Sequence, residues 1–189
     1  MNETLSGPSE RPKRLLVVIA HPRDLDLTAT VVAGWVKQGT EAWLVSCTSG
    51  DGDSDDSSAD PLVLAAAQEA ELRESAARIG YASVTFLHQP QGAVANDLAL
   101  REGLVRQVRR YRPDAVATHD PRVIVSEDGI VNDVDHRECG TATIDAVSPA
   151  AANAMAFPAL IRSEGLEPHP TDRLYLFLGE RLERIELRS

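Results

Sequence analysis

Leu15-Leu16-Val17-Val18-Ile19-Ala20-His21-Pro22-Arg23-Asp24-Leu25-Asp26 decides how the rest of the chain folds. Its first half is a continuous apolar, β-branched run, the pattern of a strand covered on both faces in a parallel sheet. The run then breaks into a His, a Pro and two acids. Groups that follow such a strand emerge at its carboxyl end, where open α/β sheets place their ligands. His21 and Asp24, three apart, can converge there as nitrogen and oxygen donors for a divalent metal such as Zn²⁺. The same spacing suits an ordinary turn with a capping Asp, and the pair alone does not separate the two.

Outward from this strand (14–20), helical and strand patterns alternate. Thr28 to Gln38 reads as a helix closed by Gly39, and Ala42 to Thr48 as a second strand. Asp60-Pro61 pairs an N-cap with a Pro at the first helical position. That helix runs to Ile79 with an apolar stripe of Leu64, Ala67, Leu72, Ala76 and Ile79, interrupted by Glu71, and Gly80 stops it. Ser83 to His88 is a third strand. Asp97 caps a helix to Tyr111 whose Leu100, Leu104, Val105 and Val108 face inward, with Arg101, Arg106, Arg109 and Arg110 forming a solvated face. Residues 114–118 give a fourth strand, and a small-residue helix runs from Asp135 to about Val147, before Pro149. Leu174 to Leu178 is a fifth strand, with room for a sixth from Arg184 to Leu187. Short loops between alternating strands and helices predict a Rossmann-like, three-layer α/β fold with a mostly parallel sheet. Residues 1–13 read as a disordered leader and residues 14–189 as one domain.

At 189 residues the chain is long enough for one real core. A net charge of −10 argues against a nucleic-acid surface. Part of that charge sits in Asp51-Gly52-Asp53-Ser54-Asp55-Asp56, which reads as a solvated loop or a flexible Ca²⁺ loop without EF-hand spacing. Cys47 and Cys139, far apart, make no disulfide framework and suit a reducing compartment. No apolar run reaches the roughly 18 residues of a membrane span, and the N-terminus has no signal-peptide core. The expectation is a cytoplasmic protein that binds neither nucleic acid nor membrane; oligomeric state is not legible.

A second chemical cluster is Val131-Asn132-Asp133-Val134-Asp135-His136-Arg137-Glu138-Cys139-Gly140, after the strand-end turn Thr118-His119-Asp120-Pro121. Together with Thr48-Ser49-Gly50-Asp51 and the segment Glu164 to His169, it makes the chain resemble the LmbE-like, or PIG-L, zinc-dependent N-deacetylases from about residue 14 to 178. Their signatures are Ala-His-Pro-Asp-Asp-x-Glu and His-Pro-Asp-His-Arg. The resemblance implies a small-molecule N-acyl substrate, such as an N-acyl amino sugar, and a Zn²⁺ ion held by His21, Asp24 and His136. Two imidazoles and one carboxylate would leave a position open for water.

The same resemblance exposes departures. The family's general base, the first Asp of its signature, is matched by Arg23, and a guanidinium cannot accept a proton. The first His of the second motif, an oxyanion stabiliser in the family, is matched by Asp133. Gln68 stands where a helix Arg often contacts substrate, and Gln91 where the acid of a Pro-Asp-Gly turn belongs. Three readings stay open. The chain is a metal-binding relative that has lost hydrolysis and acts as a partner or sensor; or Asp133 has become the base and Arg23 the oxyanion cation; or Arg23 and Asp133 only form a salt bridge. Asp135 either orients a ligand or caps the helix of His136. Cys139, one turn past His136, is either a fourth ligand or a small core residue. His119 and Asp120 are candidate substrate contacts, whereas His88 and His169 show no spacing with the trio. Relatives usually continue into a further helix packed on the sheet, which leaves the far pocket wall undefined.

Overall fold

A computed structural model describes residues 11–125, 129, 131–178 and 181–187. Most of the leader, residues 1–10, lies outside them. Six strands form one sheet in the order β3-β2-β1-β4-β5-β6. They are β1 (Arg14–Ile19), β2 (Glu41–Thr48), β3 (Ser83–Gln89), β4 (Ala115–His119), β5 (Arg173–Leu178) and β6 (Arg181–Glu186). The first five pair in parallel and β6 returns antiparallel along β5. The α/β reading holds, with β6 beginning three residues earlier than expected.

The opening run explains the layers. Leu15 through Ala20 are all fully buried because odd and even residues face different cores. Leu16, Val18 and Ala20 pack with α3 (Leu98–Tyr111), α4 (Val134–Asp145) and α5 (Pro158–Glu164). Leu15, Val17 and Ile19 pack with α1 (Leu25–Lys37) and α2 (Pro61–Ile79). Helix α1 starts three residues before the expected Thr28, because a 3₁₀ turn over Pro22–Asp24 winds the chain directly into it. Of the stripe read on α2, only Leu72 and Ala76 are buried, so its contact with the sheet is narrower than the pattern implied.

Two further departures involve the segment after α4. The helix ends at Asp145 and runs into a kinked segment, Ala146–Ala150, in which Ser148 is extended, followed by α5, which the pattern did not reveal. Arg109, expected on a solvated face, is 1% exposed. Its guanidinium donates to the carbonyl oxygens of Ala150, Ala151, Asn153, Ala156 and Phe157, and so ties this irregular segment to α3. Buried carbonyls without a donor cost about 1–3 kcal/mol each, which is why an Arg can be buried here. Arg106 and Arg110 behave as expected and pair with acids at the surface.

Strand order reverses between β1 and β4, the place where open α/β sheets bind ligands. His21 follows β1 and His119 ends β4. Helix α4 lies against the end of β4 because Gly140 has no side chain: a Cβ there would stand 2.4 Å from the His119 carbonyl oxygen. That contact brings His136 and Asp135 over the switch point. No helix among the described residues is long and apolar enough to cross a membrane.

Candidate metal centre

Asp24 is the hub. Its Oδ2 accepts the His21 backbone N–H at 2.8 Å and lies 3.1 Å from His119 Nε2, while Oδ1 lies 3.2 Å from His136 Nε2. Burial alone would raise its pKa, but the hydrogen bonds and charges of His119 and His136 outweigh it and hold the carboxyl well below the usual carboxylate range. His136 moves up: burial opposes its charge, and Asp24, Asp133 and Asp135 overcome that. His119 moves down because its burial dominates. The His119 and His136 rings stack at 4.1 Å.

Asp135 is fully buried and satisfied on both oxygens. Oδ2 accepts from Gly92 N–H at 2.6 Å and stands 3.0 Å from His21 Nε2; Oδ1 accepts from Val94 N–H at 3.1 Å. With those amides fixing the carboxylate as an acceptor, His21 must present Nε2–H to it, leaving the Nδ1 lone pair on the side of Asp24, 3.6 Å away. This is the carboxylate–histidine arrangement that orients metal-ligating imidazoles. The helix-capping alternative belongs instead to Asp133, which accepts the Asp135 N–H at 2.7 Å.

The ligand atoms of His21, Asp24 and His136 all lie within 4.8 Å of one another, and so do those of His21, Asp133 and Asp135. Ligand bonds of roughly 2.0–2.2 Å need only a small contraction of the first trio. Its chemistry, two imidazoles and a carboxylate already held ionised, fits a divalent ion.

The rim of the centre differs from the sequence reading. Arg23 makes its ion pair with Asp53, at 2.6 Å, and not with Asp133. The salt-bridge reading of Arg23 and Asp133 is therefore wrong, because the acidic loop folds back and supplies a nearer partner. That loop is not simply solvated: Asp53 also accepts from Gln68 at 2.9 Å, and Asp51 accepts the Gln91 N–H. A cavity of about 240 Å³ opens over the centre, lined by His21, Arg23, Asp24, Asp53, Gln91, Asp133 and His136. A second cleft of similar volume adjoins it across Pro22 and Arg23, with Asp26, Gln68 and Glu71 in its walls.

Of the other candidates, Asp120 turns away to Arg122 and His169 bonds the Pro113 carbonyl. Cys139 is a buried core residue, its Sγ 3.5 Å from that of Cys47, so the fourth-ligand reading falls; both thiols are free. Sequence reasoning missed Asp53 and gave His119 no part in holding Asp24. The available signal for both was position, since His119 ends β4 and Asp53 lies in the loop after β2, the two strands that border β1.

A profile of PIG-L, the GlcNAc-PI de-N-acetylase family, matches residues 16–147. No individual curated protein matches. Among solved structures, N,N'-diacetylchitobiose deacetylase from Pyrococcus horikoshii superposes with a TM-score of 0.81 at 23% identity, over 92% of this chain and 63% of its own. The conserved protein TT1542 from Thermus thermophilus gives 0.69 at 24%, over 88% and 67%. GalB, the 4-carboxy-2-hydroxymuconate hydratase of Pseudomonas putida, gives 0.72 at 21%, over 87% and 65%. This chain thus spans about two thirds of the length of each, and likeness at these identities extends to the fold. The profile covers well over half of the chain, which therefore belongs to the PIG-L, GlcNAc-PI de-N-acetylase family.

Proposed function

We propose that the chain is a zinc-dependent amide hydrolase that removes the acyl group from a small N-acyl amino sugar or related metabolite in the cytoplasm. The observation that carries this reading is the convergence of His21, Asp24 and His136, with Asp135 fixing the face that His21 presents. His21, Asp24 and His136 would hold the ion, which when bound supplies Lewis acidity to the amide carbonyl and the attacking water.

Asp133 is the base in this reading. One of its oxygens caps α4 and the other is left for the water, whose proton it accepts and then returns to the departing amine. The products are a free amine and a carboxylate. Arg23 is held through Nε by Asp53, and its terminal nitrogens have no partner among the described residues. They supply donors for the oxygen that gains charge as the carbonyl is attacked.

A second reading is a silent metal-binding member acting as a partner or sensor. It is favoured by the same Arg23, a cation where the family carries its base, already balanced by Asp53. Amine release from a panel of N-acyl sugars by zinc-loaded protein separates the two. Turnover that collapses in Asp133→Ala with zinc retained supports the hydrolase, while a zinc-loaded wild type inert across the panel supports the silent protein.

A further inference from the structure

His88 adopts a backbone φ of +53°, the left-handed region that a β-carbon disfavours. Burial does not compensate, because its side chain is 67% exposed. Its ring is nonetheless held in place. Ser49 Oγ donates to Glu69 Oε1 at 2.7 Å, and His88 Nδ1 lies 3.0 Å from that Oγ and 3.4 Å from the carboxylate. Burial would raise the Glu69 pKa, but Ser49 and Arg73 outweigh it and keep the group ionised, so the hydroxyl proton belongs to the Ser49–Glu69 bond. Ser49 then faces the ring as an acceptor and Nδ1 must carry the ring proton. In the neutral ring the Nε2 lone pair is then left over, and no partner for that nitrogen exists among the described residues.

The placement of this cluster ties it to the cleft. Ser49 precedes Gly50, Glu69 follows Gln68, and His88 lies three residues before Gln91; these neighbours line the two cavities around Arg23. A strained, exposed imidazole whose Nδ1 is held by Ser49, at the carboxyl end of β3 and next in sequence to cleft-lining residues, is a prepared acceptor when neutral.

We propose that His88, oriented by Ser49 and Glu69, is a specificity-determining residue whose Nε2 accepts a hydrogen bond from a sugar-ring hydroxyl on the part of the substrate remote from the amide. The inference rests on the amino-sugar reading above. Glucosamine, which has the ring hydroxyls but no bond to cleave, is the probe. Titrated into zinc-loaded protein, it should shift the His88 ring nitrogen resonances in ¹⁵N NMR. His88→Asn and His88→Gly, both compatible with a left-handed backbone, should weaken binding about fivefold, the worth of one neutral hydrogen bond. Their melting temperatures should stay within about 3 °C of wild type or rise.

No glucosamine binding, unmoved His88 resonances at saturation, or equal affinity in both variants overturns the proposal. So does a clear fall in melting temperature in both, which marks His88 as structural. Binding that depends on His88 in a protein that hydrolyses nothing would sink the hydrolase reading and leave this one standing. Hydrolysis of N-acetyl sugars that both variants perform with unchanged KM does the reverse.

Discussion

The floor and the rim of the candidate metal centre are held in place in different ways. The floor holds His21, Asp24, Asp135 and His136, residue types that the resemblance expects. The rim holds Arg23, Gln68, Gln91 and Asp133, and each of these departs. Floor groups satisfy one another in a buried net: Asp24 takes two imidazoles and a backbone N–H, while Asp135 takes His21 and two loop amides. Removing any one leaves a buried donor or acceptor without its partner. The rim groups are tied less closely: Arg23, 71% exposed, and Gln68 both bond Asp53, away from the floor, and the buried Gln91 Oε1 has no partner among the described residues. A side chain can therefore be exchanged at least cost where desolvation is small, without breaking the hydrogen-bonded net beneath it.

The largest expected effect comes from breaking the floor. His21→Ala with His136→Ala should reduce bound zinc from about one per chain to none by elemental analysis, since a single carboxylate cannot hold the ion. Wild-type protein that takes up no zinc even when it is supplied would remove the floor's claim to be a metal centre.

The floor was far more legible than the rim, for a physical reason. Leu15 to Ala20 can be read because a strand buried on both faces must be apolar throughout, and the residues directly after it must lie at the sheet's carboxyl end. His136 and Asp135 enter through a motif on a helix that Gly140 allows close to β4. Asp53 had no such signature: an acidic loop looks solvated until the fold brings it back beside Arg23 and Gln68. Arg109 shows the same limit away from the site. In sequence it matches Arg106 and Arg110, and only the carbonyls of residues 150–157, set by a kink at Ser148 that no periodicity announced, distinguish it. His88 was passed over because its partners Ser49 and Glu69 come from two other elements.

Next in size is the exchange at the rim. Asp133→Ala should lower hydrolysis by about 10²–10⁴-fold, the range of general acid–base catalysis, with zinc content unchanged. Arg23→Asp alone should also be harmful, because it adds an acid where an oxyanion would form. Arg23→Asp with Asp133→His restores the family arrangement and should recover rate beyond either single change. Turnover indifferent to Asp133→Ala would end its role as base.

Asp135→Asn tests the join between floor and loop. An amide has one acceptor oxygen where the carboxylate meets three donors on two oxygens, so its NH₂ must oppose either the Val94 N–H or both the His21 and Gly92 N–H groups. Zinc affinity, measured against a competing chelator, should fall about 10–100-fold. If affinity is unchanged, the orientation of His21 is set by something other than Asp135.

The smallest effect concerns Asp53, and it sharpens the comparison most. Asp53→Asn removes the charge that holds Arg23 but leaves an amide able to bond Gln68. The pair is largely exposed on the Arg23 side, so its coupling should be worth only about 0.2–1 kcal/mol. Thermal stability should barely change. If Arg23 stabilises an oxyanion, the loss falls on the transition state, and kcat should drop by up to about fivefold with KM little changed. Salt should have the same sign: raising ionic strength screens the wild-type pair and should bring its rate towards that of the variant. A rise in KM with kcat intact would instead mean that Arg23 grips the ground-state substrate. A variant equal to wild type at every salt concentration would make the Arg23–Asp53 pair an ornament of the rim, leaving Asp133 to act without a cation.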